Sequence, residues 1–129
     1  YAGSGSVGIE AISRGARLAI FLEKSRPALR ALSDNIEALD IRERSEVHPG
    51  NAASVITRFE ADVVFLDPPY PREREYTICL EALGEAPRPM VIVQHASKFT
   101  HHLAESYGQL KRVRILSQGD NSLSFYEPR

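Results

Sequence analysis

Ala61-Asp62-Val63-Val64-Phe65-Leu66-Asp67-Pro68-Pro69-Tyr70 decides how the rest of this 129-residue chain is read. Four unbroken apolar residues, Val63 to Leu66, run into a carboxylate, two prolines and an aromatic ring. Such a run predicts a short strand covered on both faces, whose carboxyl end opens onto a site. In an open α/β sheet that edge is where ligands bind. Adjacent prolines restrict the backbone, so the Asp67 carboxylate and the proline carbonyls point in set directions. Tyr70 adds a flat face beside them. Acceptors next to a stacking surface suit a planar ring with an exocyclic amine, which means a nucleobase.

Outward from this strand, apolar runs and breakers alternate. Ser6 to Ser13 reads as a helix with Val7, Ala11 and Ile12 on one face and Gly15 past its end. Leu18 to Leu22 is a continuous apolar strand. Ser25 can cap the next helix and Pro27 fits its first turn, with Leu29, Leu32, Ile36 and Leu39 as the buried stripe. A short strand near Glu46 to His48 follows, then a helix from about Ala52 to Arg58. After the Asp67 strand come a helix around Tyr76 to Leu83, ended by Gly84, and a buried strand Met90 to Val93. This rhythm predicts an α/β fold with a mostly parallel twisted sheet and helices on both faces. The pattern then changes. Leu110 to Leu116 alternates in part, and Leu123 and Phe125 alternate with serines across a Gln118-Gly119-Asp120-Asn121 turn, which signals a C-terminal antiparallel hairpin.

The length fits one domain over residues 1–129, and no repeat, low-complexity tract or linker interrupts it. A formal net charge of −1 excludes nucleic-acid binding by bulk charge alone, so such binding needs local patches or further segments. The single cysteine, Cys79, has no internal disulfide partner and reads as a small core residue. Without a signal peptide or long apolar run, a soluble, cytoplasmic protein with no membrane association is expected. His48, His95, His101 and His102 show no metal-ligand spacing, and no metal site is expected.

Gly3-Ser4-Gly5-Ser6-Val7-Gly8 has the form G-x-G-x-x-G. The glycines permit a tight turn, close ligand approach and close helix packing, and the helix N-terminus after them offers unpaired N–H groups. Glu23 ends the next strand, where a carboxylate can accept from both ribose hydroxyls. Loop and acid together say nucleoside cofactor without choosing among them; a glycine-rich turn with a surface glutamate is the plainer reading. Asn51, after Pro49-Gly50 at the same sheet edge, can read an adenine edge or cap the following helix. A glycine loop of this type follows a strand, and the chain is expected to begin at the end of that strand.

Taken together, these residues resemble class I S-adenosylmethionine-dependent methyltransferases. More narrowly, the chain is similar to the bacterial 16S ribosomal RNA guanine-N2 methyltransferase family. The resemblance rests on the run from Ala2 to Ala16, Phe21-Leu22-Glu23-Lys24, Val64 to Tyr70 and the closing Gly119 to Tyr126. Asn51 departs from it, standing where an aspartate is common, and Gln94-His95 stands where that strand often ends Glu-His. The resemblance implies S-adenosyl-L-methionine as cofactor, held by Ala2, Gly3, Ser4, Gly5, Gly8, Glu23, Lys24, Asn51, Ala52 and Asp67. It also implies a catalytic set of Asp67, Pro68, Pro69 and Tyr70, with Tyr70 stacked on the base. Arg72 and Arg74, just past that set, are the candidate RNA contacts, against a plain reading as a solvated charged loop. Lys111, Arg112 and Arg114 read as solvent-facing charges. The implied partner is ribosomal RNA, within an assembling small subunit or free, and the expected protein is a monomer.

Rival functions remain open at this level. An NAD(P)-linked oxidoreductase would use the loop and Glu23 but gives no reason for Asp67 to Tyr70. A DNA or RNA adenine-N6 methyltransferase faces a similar exocyclic amine. A non-catalytic cofactor-binding remnant is favoured by the missing first strand.

Overall fold

The computed structural model describes residues 1–69, 74–85 and 89–129. Chain contacts divide it into two compact units, residues 1–55 and 56–129.

In the first unit, helix α1 (Ser6–Ser13) leads to strand β1 (Ala19–Glu23), helix α2 (Arg26–Ala38), a 3-10 turn (Arg42–Arg44), strand β2 (Ser45–Pro49) and helix α3 (Ala52–Val55). β1 and β2 pair in parallel, with Phe21 opposite Val47 and Glu23 opposite Pro49. Ser25 caps α2 by accepting from the Ala28 N–H at 3.4 Å, and Pro27 lies in the first turn, where its missing N–H costs nothing. Phe21, Leu32 and Ile36 form the core, with Ala2, Ile9, Ala19 and Ile41 packed around it.

Two details depart from the expected faces. Val7 and Ala11 are exposed, and α1 instead turns Gly5, Gly8, Ile9 and Ile12 inward. Positions 5, 8, 9 and 12 follow the helical repeat, but half of that face is glycine, so an apolar count misses it. Leu39 is also exposed, because α2 ends at Ala38 and the chain reverses through Asp40 at φ 52°.

The second unit begins with a 3-10 turn (Ile56–Arg58) and continues through β3 (Val63–Leu66), α4 (Arg74–Glu85), β4 (Met90–Ala96), a 3-10 turn (Ser97–His102), β5 (Ser106–Tyr107), β6 (Leu110–Gln118) and β7 (Asn121–Pro128). Its five strands lie in the order β3-β4-β7-β6-β5. β3 and β4 are parallel; from β4 onward every pairing is antiparallel. The hairpin turns at Gly119-Asp120, and a register shift between Arg112 and Arg114 leaves Val113 as an extra residue on β6.

β3 was expected to be covered on both faces. As the terminal strand of this sheet it is not: Val63 is exposed, Val64 and Phe65 are half-buried, and only Leu66 is fully enclosed. Burial therefore increases along the strand toward its carboxyl end.

Gly84 does not end α4, which runs on to Glu85. It is a contact residue: a Cβ there would strike the Tyr107 carbonyl, and the Gln109 N–H donates to the Gly84 carbonyl at 2.9 Å. The helix thus lies directly on backbone. Cys79 and Leu80 of α4, Val91 and Val93 of β4, Leu110 and Tyr126 are fully buried.

On β7 the serines are the buried face. Ser122 and Ser124 are enclosed, while Leu123 and Phe125 are half-buried. Enclosure is tolerable because each hydroxyl is bonded: Ser124 to His95 Nε2, and Ser122 to the hydroxyls of both Ser97 and Ser117, all at 2.8 Å. Arg112 also departs from expectation. It is half-buried, and its Nη1 is enclosed without a hydrogen-bond acceptor among the described residues, whereas Lys111 and Arg114 are exposed. No helix among the described residues is long and apolar enough to cross a membrane.

Candidate functional site

The glycine loop in the first unit is closed by one carboxylate. Glu23 ends β1, and its Oε1 accepts the Gly3 N–H at 2.7 Å. Its Oε2 accepts the N–H groups of Lys24 and Ser25, each at 3.0 Å. Burial raises this carboxyl's pKa, whereas the N–H groups of Ser25, Gly3 and Lys24 are among the influences that lower it, and it lies below the ordinary glutamate value. A carboxylate offers roughly four lone-pair directions. Three are taken by backbone, which leaves about one for a ligand hydroxyl. Glu23 therefore builds the loop with both of its oxygens.

Further bonds fix the loop. The Ala2 N–H donates to the Leu22 carbonyl at 3.2 Å, and the Gly5 N–H turns back to the Ala2 carbonyl at 2.9 Å. Gly5 caps α1 at φ 89°, where a side chain would be strained and would also collide with Leu32. No side chain caps α1, and its first backbone bond runs from Ile9 to Gly5, so the N–H groups of Ser6, Val7 and Gly8 face the loop end. Asn35, on the inner flank of α2, donates from Nδ2 to the Ser4 carbonyl at 3.0 Å. The apolar stripe of α2 did not reveal it; the signal was an asparagine between Leu32 and Ile36, a poor helix former on the buried side.

Asn51 acts as a cap. Its Oδ1 accepts the Ala53 N–H at 3.0 Å, which leaves the amide donors free for a ring nitrogen. Gly50 binds the Glu23 carbonyl at 2.9 Å, tying the end of β2 to the end of β1. Ser4 and Lys24 are exposed and Ala52 is buried. Ala2, Gly3, Ser4, Gly5, Gly8, Glu23, Lys24, Asn51 and Ala52 are thus all in or beside the loop and the carboxyl ends of β1 and β2.

In the second unit β3 delivers Asp67, exposed, then Pro68, buried, then Pro69, exposed. Part of Asp67 is open to solvent, but surrounding protein desolvates the carboxyl and raises its pKa. Since Leu66 pairs with Val93, Asp67 follows at the level of Gln94, one residue before the buried His95. Tyr76, in the first turns of α4, donates its hydroxyl to the Gln94 carbonyl at 2.8 Å. That places the start of α4 at the same sheet edge, with Arg74 exposed as its first residue. Tyr70 and Arg72 lie outside the described residues. Tyr76 escaped the sequence reading because a tyrosine at the start of an apolar stripe looks like plain core. Among the described residues no group of three His, Cys, Asp or Glu side chains could hold a metal ion.

A glycine loop latched to an acidic strand end, and a second strand ending in Asp-Pro-Pro, sit here on the Rossmann-like fold of class I methyltransferases. A solved structure described as a "putative methylase" from Haemophilus influenzae matches 99% of this chain and 76% of its own at TM-score 0.82 and 26% identity. The chain belongs to the family described as Conserved hypothetical protein 95, which matches residues 1–127. Among curated relatives, the "Putative rRNA methyltransferase YlbH" of Bacillus subtilis (strain 168) is 27% identical over all of this chain and 73% of its own length. The Ribosomal RNA small subunit methyltransferase D of Haemophilus influenzae is 37% identical over 75 residues, 54% of this chain and 39% of that protein.

Proposed function

We propose that this protein transfers a methyl group from S-adenosyl-L-methionine to the exocyclic N2 amine of a guanine in 16S ribosomal RNA. The observation that carries the reading is Asp67: a partly desolvated carboxylate beside a buried proline, at a strand's carboxyl end, in a chain matched by its family over residues 1–127. The names of the curated relatives support ribosomal RNA as the substrate class.

The loop residues fit the cofactor's chemistry. The free lone-pair direction of Glu23 suits a ribose hydroxyl, and the Asn51 amide suits an adenine ring nitrogen. Ala2 to Gly5 and Gly8 bring backbone close, while Lys24 and Ala52 flank the ends of β1 and β2. When bound, S-adenosylmethionine supplies a methyl carbon made electrophilic by its sulfonium sulfur.

The reacting amine is a weak nucleophile, because its lone pair is delocalised into the guanine ring. Asp67 and the Pro68 carbonyl accept its two N–H groups, aim the nitrogen and stabilise the positive charge that develops on it. Asp67 need not take a proton before transfer. As the nitrogen gains the methyl group and the methyl–sulfur bond breaks, the nitrogen releases one of its two protons to the Asp67 carboxylate, which passes it to water. Pro69 fixes the backbone of this cradle and Tyr70 stacks on the base, which must be unpaired or flipped from a duplex. Arg72 and Arg74 contact phosphates beside it. Because the acceptor is the ionised carboxylate with a raised pKa, the rate rises with pH through a midpoint above the ordinary aspartate value of 3.8.

The test is to incubate the protein with labelled S-adenosylmethionine and either naked 16S RNA or small-subunit particles, then locate the label by mass spectrometry. N2-methylguanine is the expected product. Label on an adenine N6 would assign the site to the other exocyclic amine, and no label on either substrate would reject the reading.

A further inference from the structure

A line of rings runs from the buried start of α4 out to solvent. Tyr76 is buried, with its hydroxyl on the Gln94 carbonyl at the level of Asp67. Its ring centroid lies 5.2 Å from that of Phe99, which lies 5.1 Å from His102, which in turn lies 4.1 Å from His101. Exposure increases along the series: Phe99 is half-buried, and both histidines are exposed.

The turn that carries the outer rings is fastened rather than loose. It is the 3-10 turn Ser97–His102, which is pinned at both ends. The Ser97 N–H donates to the Asp120 carbonyl at 2.8 Å and its hydroxyl to the Gly119 carbonyl at 3.1 Å, which fastens the turn to the β6–β7 hairpin. Thr100 Oγ1 donates to the Ser97 carbonyl at 2.7 Å, and the buried Leu103 closes the other end on the Thr100 carbonyl at 3.1 Å. A backbone fixed before a ligand arrives loses little freedom on binding it, which leaves only the histidine side chains to be ordered.

Within the turn itself, residues 96–104 contain no Asp or Glu and Lys98 is exposed. Glu105 follows in the chain, and Asp120 meets Ser97 through its backbone carbonyl. Exposed rings beside a cation, on a turn without acids of its own, match unpaired nucleotides, whose bases stack on aromatic and imidazole rings while the phosphate seeks positive charge.

We infer that Phe99, His102 and His101 form a stacking surface for the unpaired RNA bases next to the target nucleotide. This rests on the RNA methyltransferase reading above and adds how the substrate is gripped. The occupant is single-stranded RNA rather than protein, because the exposed part of the surface offers two imidazole rings and the Lys98 cation rather than aliphatic side chains.

The test compares wild type with the double variant His101→Ala, His102→Ala, and with His102→Tyr, which keeps a ring. Affinity for an unpaired 16S RNA fragment, affinity for the assembled particle, S-adenosylhomocysteine affinity and melting temperature are measured for each. The double variant is expected to bind the fragment about tenfold more weakly, with cofactor affinity and melting temperature unchanged, and His102→Tyr to bind like wild type. Unchanged fragment affinity in the double variant, while wild type methylates RNA, overturns the stacking surface alone. Weakened binding to the particle only also overturns it, and assigns the rings to a protein contact. A wild-type protein that neither binds nor methylates the RNA overturns the functional reading and this inference with it.

Discussion

The two units present their chemistry in different ways. In residues 1–55 the groups that face the loop are mostly backbone N–H, gathered on one buried carboxylate. In residues 56–129 the corresponding groups are side chains, Asp67 and the rings beyond Gln94, set on a sheet whose apolar interior includes the bonded polar cluster of His95, Ser122 and Ser124. A backbone cradle recognises what every nucleoside cofactor shares. A side-chain cradle on a scaffold of this kind can be altered residue by residue, which suits the half proposed to select the methyl acceptor.

The largest effect expected from breaking this contrast is at Gly84. Alanine there drives a methyl group into the Tyr107 backbone, which cannot yield as a side chain can, and should destabilise the protein by about 3 kcal/mol in chemical denaturation. Next is Glu23→Gln. The amide replaces one acceptor oxygen with a donor that must face Gly3 or the Lys24 and Ser25 N–H groups, so the near-isosteric change does not preserve the latch. S-adenosylhomocysteine affinity measured by calorimetry should fall about tenfold or more. Affinity equal to wild type would mean that the loop holds its shape without this carboxylate.

Acid should loosen the two units in separate windows. His95 is enclosed, and burial holds its pKa below the ordinary 6.5. Between those values the unfolded chain binds the proton more readily, so its contribution is complete above pH 6.5 and is lost as pH falls toward the lowered value. Glu23 has a depressed pKa, so its contribution persists above the ordinary 4.5 and is lost only below it. Hydrogen exchange followed against pH should therefore show residues 90–126 losing protection before residues 2–25. The smallest effect is at Asp40, held at φ 52° after α2. Glycine adopts that conformation freely, and Asp40→Gly should stabilise the protein by about 0.5 kcal/mol in thermal or denaturant unfolding.

Much of this was legible in the sequence, for identifiable reasons. α1 starts and stops where its glycines say, and β1, α2, β4 and the hairpin follow from apolar period, the Ser25 cap, Pro27 and Gly119. Four things were not legible. The inward face of α1 is half glycine, so hydrophobicity pointed to Val7 and Ala11. The buried side of β7 is serine, because partners on other elements, His95, Ser97 and Ser117, satisfy the hydroxyls. The bonds of Asn35 and Tyr76 span 31 and 18 residues, and no local pattern encodes such a contact. β5 is two residues long, too short to show a period. The candidate site is easier to pick out than its supports, since strand-end acids and glycines are local signals and their props are tertiary.

The central claim is that residues 1–55 hold the cofactor while Asp67 holds the reacting amine. Single-turnover methyl transfer to 16S RNA by Asp67→Ala, with S-adenosylmethionine saturating, tests it most directly. The rate should fall by about a hundred- to a thousandfold while cofactor affinity stays near that of wild type. Transfer at the wild-type rate, or a loss fully explained by weaker cofactor binding, would contradict the account.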